Sequence, residues 1–105
     1  MITLKFHKDF LKQAANLKPA QKKRLQAALK LFQRDPQHPD LYNHPLTGEW
    51  KGYRSIAFGG EWRAHFELTD DGAMAWFVAC GTHGQLLSSS YRHQYPCLRE
   101  AHELL

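Results

Sequence analysis

Two histidines bracket the most chemically dense part of this chain: His44 opens HPLTGEWKGYRS and His83 closes FVACGTH. Imidazole titrates near neutral pH, so a well-placed histidine can take a proton from a ribose 2′-hydroxyl or return one to a leaving oxygen. Between the two lie Lys51, Arg54 and Arg63. Cations of this kind hold a phosphate and stabilise the charge that grows on it without recourse to a metal. Trp50, Tyr53 and Trp62 add flat rings, the usual platform for unstacked bases. Taken singly, each has an ordinary structural use, a loop histidine on the surface or a tryptophan in the core. The combination points to chemistry on a flexible, base-bearing phosphodiester.

Other chemistries find less support. There is no Gly-rich phosphate loop of the Walker type, no HExxH and no close CxxC pair, and the seven histidines are scattered rather than spaced as ligands. No metal site and no cofactor are expected. The serine run over 88–90 lacks the strand–turn–helix context of a nucleophile elbow.

The elements that must position these residues can be read from periodicity. At 105 residues the chain is expected to form one domain over 1–105. ITLKF reads as a short strand, and Phe6, Phe10, Leu11, Ala14 and Leu17 recur at helical spacing over about 7–17. Pro19 suits the first turn of a second helix, whose apolar stripe is Leu25, Ala28, Leu29 and Phe32. The Pro-rich stretch from Asp35 to Gly48 reads as a loop. WKGYRSIAF, EWRAHFEL and AMAWFVAC then read as three antiparallel strands, the last nearly continuous in apolar character and so the most buried. The order β-α-α-β-β-β predicts an α+β domain of two layers, two N-terminal helices packed on one face of a twisted, mainly antiparallel sheet. Period-2 geometry groups Glu61, Arg63, His65 and Glu67 on one side of their strand and Trp62, Ala64, Phe66 and Leu68 on the other. An open sheet face carrying Lys51, Tyr53, Arg63 and His65 is the expected outcome. The segment over 88–105 reads as a C-terminal extension, in which CLREAHELL forms a short helix serving as a packing element or dimer contact.

Composition narrows the setting. No window approaches the run of about 18 apolar residues needed to cross a bilayer, and MITLKFHKDF lacks the apolar core of a signal peptide, so a cytoplasmic address is expected. Cys80, in an apolar strand-like run, and Cys97 read as reduced thiols. The formal net charge of +4 permits nucleic acid or an acidic protein as partner.

HPLTGEWKGYRS, EWRAHFELTDDG and FVACGTHGQLL together resemble the RelE/ParE toxin superfamily, and within it the YafQ-like branch. The resemblance runs from about Asn43 to Leu87, with two helices of the expected order before it. It implies a bacterial type II toxin, an endoribonuclease that cleaves mRNA, in this branch usually on the translating ribosome. It also implies a cognate antitoxin that wraps around the toxin, promoter DNA met only through that antitoxin, and no membrane. On this footing His83 is the acid or base, His44 its complement or a substrate orienter, and Arg63 with Arg54 the phosphate clamp. Glu61 and Trp62 take the place of an Asp–Trp pair, with Glu61 among the catalytic groups. Lys51, Trp50, Tyr53, Trp62 and His65 contact RNA. Where YafQ-like members carry an acid after the YR, a histidine two residues later, an arginine before GTH and an aromatic at the close, this chain has Ser55, Ala57, Ala79 and Leu87. Two alternatives share the fold: a ParE-like poison of DNA gyrase, and a catalytically inactive binding module.

Overall fold

Of the apolar residues at helical spacing, the two long helices bury Phe10, Leu25, Ala28 and Phe32, whereas Leu11 is 53% exposed. In the computed structural model, which describes residues 2–86, these helices are α1 (Lys8–Ala15) and α2 (Pro19–Arg34). His7 caps α1 by accepting from the Asp9 amide at 3.1 Å, and Pro19 occupies the first turn of α2. Leu87, Cys97 and the extension over 88–105 with its expected helix lie outside the described residues.

The sheet has five strands: β1 (Thr3–Phe6), β2 (His44–Pro45), β3 (Arg54–Ala57), β4 (Trp62–Thr69) and β5 (Met74–Thr82), in the spatial order β1-β5-β4-β3-β2. β1 runs parallel to β5 and every other pairing is antiparallel. β5 therefore lies between two neighbours, and all its residues from Ala75 to Gly81 are buried, which accounts for its unbroken apolar character. Cys80 lies in this strand, and burial pushes its thiol up to about 12. A one-turn helix, α3 (His83–Leu86), follows directly. No helix among the described residues is long and apolar enough to cross a membrane.

The helices cover one face of the sheet. Phe32 meets Phe66 at 4.9 Å and Phe77 at 5.5 Å between ring centroids, and Phe10 meets Phe77 at 5.7 Å. Each fully buried phenylalanine contributes roughly 1.5–3 kcal/mol relative to exposure, so this cluster dominates the stability.

Four expectations are corrected. The first sheet strand of the meander is shorter than WKGYRSIAF, because Gly48 (φ +66°) and Gly52 (φ +97°) turn the chain through a 3-10 segment at Gly48–Trp50. Trp50, Lys51 and Tyr53 precede β3 rather than forming it. Within the expected loop, His44 and Pro45 instead pair with β3 as an edge strand. The face away from the helices is also not open, since Trp50, Tyr53, Trp76, Val78, Ala79 and Leu86 form a second, smaller cluster there. A register shift makes this possible: pairing steps from His65↔Ala79 to Phe66↔Phe77, leaving Val78 as an extra residue, so Val78 and Ala79 both join the second cluster. Leu68, grouped with the core by alternation, is 39% exposed.

Candidate functional site

Strand register alone brings the dispersed residues into rows. His44 pairs with Ser55, Ser55 with His65 and His65 with Ala79, a single row across β2, β3, β4 and β5. Two residues along, Ala57, Arg63 and Gly81 make the neighbouring row on the same face. Directly opposed residues of an antiparallel pair have Cβ atoms about 4.5–5.5 Å apart. Ala57 thus stands across from Arg63, and Ala79 across from His65. Small side chains at these two positions, where the family resemblance implies a histidine and an arginine, leave room for long polar groups one strand over.

α3 brings in the last member. The His83 amide donates to the Glu61 carbonyl at 2.8 Å, tying the turn to the end of the β3–β4 connection. Thr82 and Gln85 form a reciprocal cap: the Gln85 amide donates to Thr82 Oγ1 at 3.3 Å, and the Thr82 amide donates to Gln85 Oε1 at 3.0 Å. Trp50 holds the other end of the turn by donating its indole N–H to the Leu86 carbonyl at 2.7 Å. The outcome is a cleft of about 220 Å³ lined by His44, Thr47, Ser55, Arg63, His65 and His83 among others.

Each of these side chains is set differently. His44 is half-buried and its Nδ1 donates to the Tyr42 carbonyl at 2.8 Å, which leaves Nε2 as the unprotonated nitrogen of the neutral ring. Its ring lies 4.5 Å from that of Tyr42. Arg63 Nη1 donates to the carbonyls of Gly60 at 2.7 Å and Trp62 at 2.9 Å, so the guanidinium is held in place with further N–H donors to spare. His83 is exposed at the rim. His65 is buried, its ring edge-on to Trp50 at 4.4 Å. Burial, with smaller contributions from the nearby His44, His83 and Arg63, pushes its pKa down to about 3. It is a neutral imidazole at any physiological pH. Among the described residues, no group of three or more His, Cys, Asp or Glu is arranged to hold a metal ion.

Of the residues expected at the site, His44, His83, Arg63, His65 and Trp50 line the cleft. Trp50 does so as a strut rather than as an open stacking platform, because it is buried. Tyr53 is likewise buried, its ring edge-on to Trp50 at 5.3 Å, so it offers no face to a base. Trp62 points to the helix side, 6.0 Å from Phe58 and against the larger core, as strand alternation requires. Arg54 is on that same side of its strand and is paired through Nε with Asn43 Oδ1 at 2.9 Å, away from the cleft. Lys51 is exposed on the turn outside the cleft, and Glu61 contributes its backbone carbonyl while its side chain lies outside. Two polar cleft residues, Ser55 and Thr47, are not among the site members expected from the sequence, nor is Tyr42 as the partner of His44. Alternation along β3 puts Ser55 on the cleft face, but a serine in a strand carries no further signal.

No family model matches the chain. It is 41% identical over 49 residues to the mRNA interferase toxin YafQ of Escherichia coli (strain K12), a stretch of 46% of this chain, and it spans about half, 51%, of that relative. The crystal structure of YafQ from the BL21(DE3) strain of the same species superposes with a TM-score of 0.65 at 25% identity, over 84% of this chain and 100% of that one. In the E. coli DinJ–YafQ complex the corresponding figures are 0.65, 26%, 84% and 100%. An archaeal RelE–RelB complex from Pyrococcus horikoshii OT3 shares the fold, with a TM-score of 0.64 at 16% identity over 80% of this chain and 97% of that one. The motif-bearing stretch, the sheet order and the overall superposition agree in likening this chain to YafQ and in giving it the fold shared with RelE toxins.

Proposed function

We propose that this protein is the toxin of a type II toxin–antitoxin pair, a one-domain cytoplasmic endoribonuclease that cleaves mRNA, on the ribosome, and is neutralised by a cognate antitoxin. The observation that carries the reading is the gathering of His44, His83 and Arg63 around one cleft from three separate parts of the chain. The reaction is transfer to the 2′-hydroxyl. His44 Nε2 takes the 2′-hydroxyl proton, O2′ bonds to phosphorus as the bond from phosphorus to O5′ breaks, and protonated His83 gives its proton to O5′. The products are a 2′,3′-cyclic phosphate and a 5′-hydroxyl. Arg63 stabilises the charge on the non-bridging oxygens through the donors left free by its backbone contacts. Every proton and charge in this scheme is handled by side chains, so no metal ion takes part. Exposed Lys22, Lys23, Lys30 and Arg34 on α2 supply a basic face for further phosphates, as ribosomal RNA would offer.

Pulsed expression followed by primer extension on total RNA tests the proposal. Growth arrest with transcripts cut within codons is expected, and His83→Ala should abolish both. Intact transcripts with accumulating DNA breaks would replace it with gyrase poisoning. Unimpaired cleavage by His83→Ala would remove His83 from the mechanism.

A further inference from the structure

Two polar atoms in the cleft lack any hydrogen-bond partner among the described residues: Ser55 Oγ and His65 Nδ1. Ser55 is 1% exposed and His65 3%. Both line the cleft, and they are direct partners across the β3–β4 ladder, so the two side chains lie side by side on one face. Buried polar groups in folded proteins are nearly always hydrogen-bonded, and an orphan among them calls for a specific explanation. Two adjacent orphans on the wall of a cleft are explained together by a ligand group that reaches both.

The row in which they stand indicates what that group is. His44 pairs with Ser55 on the other side, so the order is His44, Ser55, His65. His44 offers an acceptor at Nε2, because its Nδ1–H is committed to the Tyr42 carbonyl. Ser55 offers an O–H, and His65 offers an N–H at Nδ1 in one of its neutral tautomers. One acceptor and two donors complement a hydroxyl, which has one hydrogen to give and two lone pairs to fill. A phosphate oxygen has no hydrogen to give, and Arg63 serves it already.

We propose that Ser55 and His65 form a receptor for the ribose 2′-hydroxyl, and that they make this cleft selective for RNA over DNA. The proposal rests on the reading of the cleft as an RNA-cleaving site and adds to it the groups that recognise the sugar. The 2′-O–H donates to His44 Nε2 while its oxygen accepts from Ser55 Oγ–H and His65 Nδ1–H. The same two donors stabilise negative charge on O2′ as the proton leaves, with His65 remaining neutral and moving no proton itself.

Binding measured without cleavage provides the test. In a His83→Ala background, fluorescence anisotropy compares a mixed-sequence RNA oligonucleotide with its all-2′-deoxy counterpart. A preference of about five- to tenfold for the RNA is expected, the worth of one or two neutral hydrogen bonds. Ser55→Ala should weaken RNA binding by most of that factor and leave the deoxy oligonucleotide unaffected. His65→Leu should do the same, and His65→Asn, whose amide nitrogen can stand in for Nδ1, should recover part of the loss. Thermal melting identifies any variant that does not fold, and Ser55→Ala, a loss of one oxygen, keeps the test open if the His65 variants do not. Equal loss for both oligonucleotides would assign the pair to phosphate, and equal affinities in the parent would remove sugar recognition altogether; either overturns the proposal while leaving an RNA site standing. Failure to bind either oligonucleotide, with uncut transcripts in the primer-extension assay, would bring down the RNA reading itself.

Discussion

The two faces of the sheet are built on different terms. The helix side is packed by rings without polar atoms, Phe10, Phe32, Phe66 and Phe77, whose contacts can be optimised for burial alone. On the opposite side the rings carry polar handles: Trp50 spends its N–H on the Leu86 carbonyl, and His65 beside it is a buried base whose Nδ1 has no partner among the described residues. One face supplies stability, and the other accepts a local penalty at the polar groups that line the cleft. The contrast teaches that the smaller cluster is a support for the cleft, holding α3 and its His83 against β4, more than a second source of folding energy.

Breaking the larger face should be the most damaging change. Phe77→Ala removes a ring in contact with Phe10, Phe32 and Phe66 and is expected to cost about 3–5 kcal/mol in urea denaturation. Ser55→Ala, on the other face, should change stability by less than about 1 kcal/mol, because it deletes a hydroxyl that has no partner among the described residues. Comparable losses from both would erase the distinction. Trp50→Phe is expected to be intermediate, about 1–3 kcal/mol, since it strands the buried Leu86 carbonyl. It should also lower cleavage by more than a general loss of stability explains, measured at a temperature where the variant stays folded, because the turn carrying His83 loses its tie.

Acid sharpens the same comparison. His65 has a folded pKa of about 3 against an unfolded value of 6.5, so the unfolded chain binds the proton first as pH falls. Its contribution is intact above about 6.5 and is lost progressively as the pH drops towards about 3, with a slope of at most about 1.4 kcal/mol per pH unit. His7, whose pKa burial also lowers, acts in the same direction. Urea midpoints at a series of pH values should show this slope, and His65→Leu should flatten it. An unchanged slope in that variant would mean that His65 is not the buried base described above.

Much of the architecture was legible beforehand. Helical spacing included the residues that α1 and α2 bury, and the unbroken apolar run named β5 as the most buried strand, since both patterns record which side of an element meets other atoms. His44, Arg63 and His83, grouped from the sequence because their residue types can do one chemistry together, line one cleft. Lys51, Tyr53 and Trp50 were misplaced for a local reason: two glycines with positive φ bend a segment whose composition suits a strand. Arg54 and Trp62 lie outside the cleft for a different one, as each suits phosphate or base contact by type but falls on the other face by alternation. Ser55 was passed over because a single serine announces nothing until its partner across the ladder is known.

The order of the elements, their helical or extended character and the inventory of acids, bases and rings were determined by the sequence itself, because these depend on near neighbours along the chain. Which face would close and where the cleft would open were decided only in three dimensions. Val78 as an extra residue in β5, Trp50 reaching to Leu86, and the row His44–Ser55–His65 all join residues distant in the chain. Alternation states which side chains share a face, whereas burial depends on what the rest of the chain lays over it.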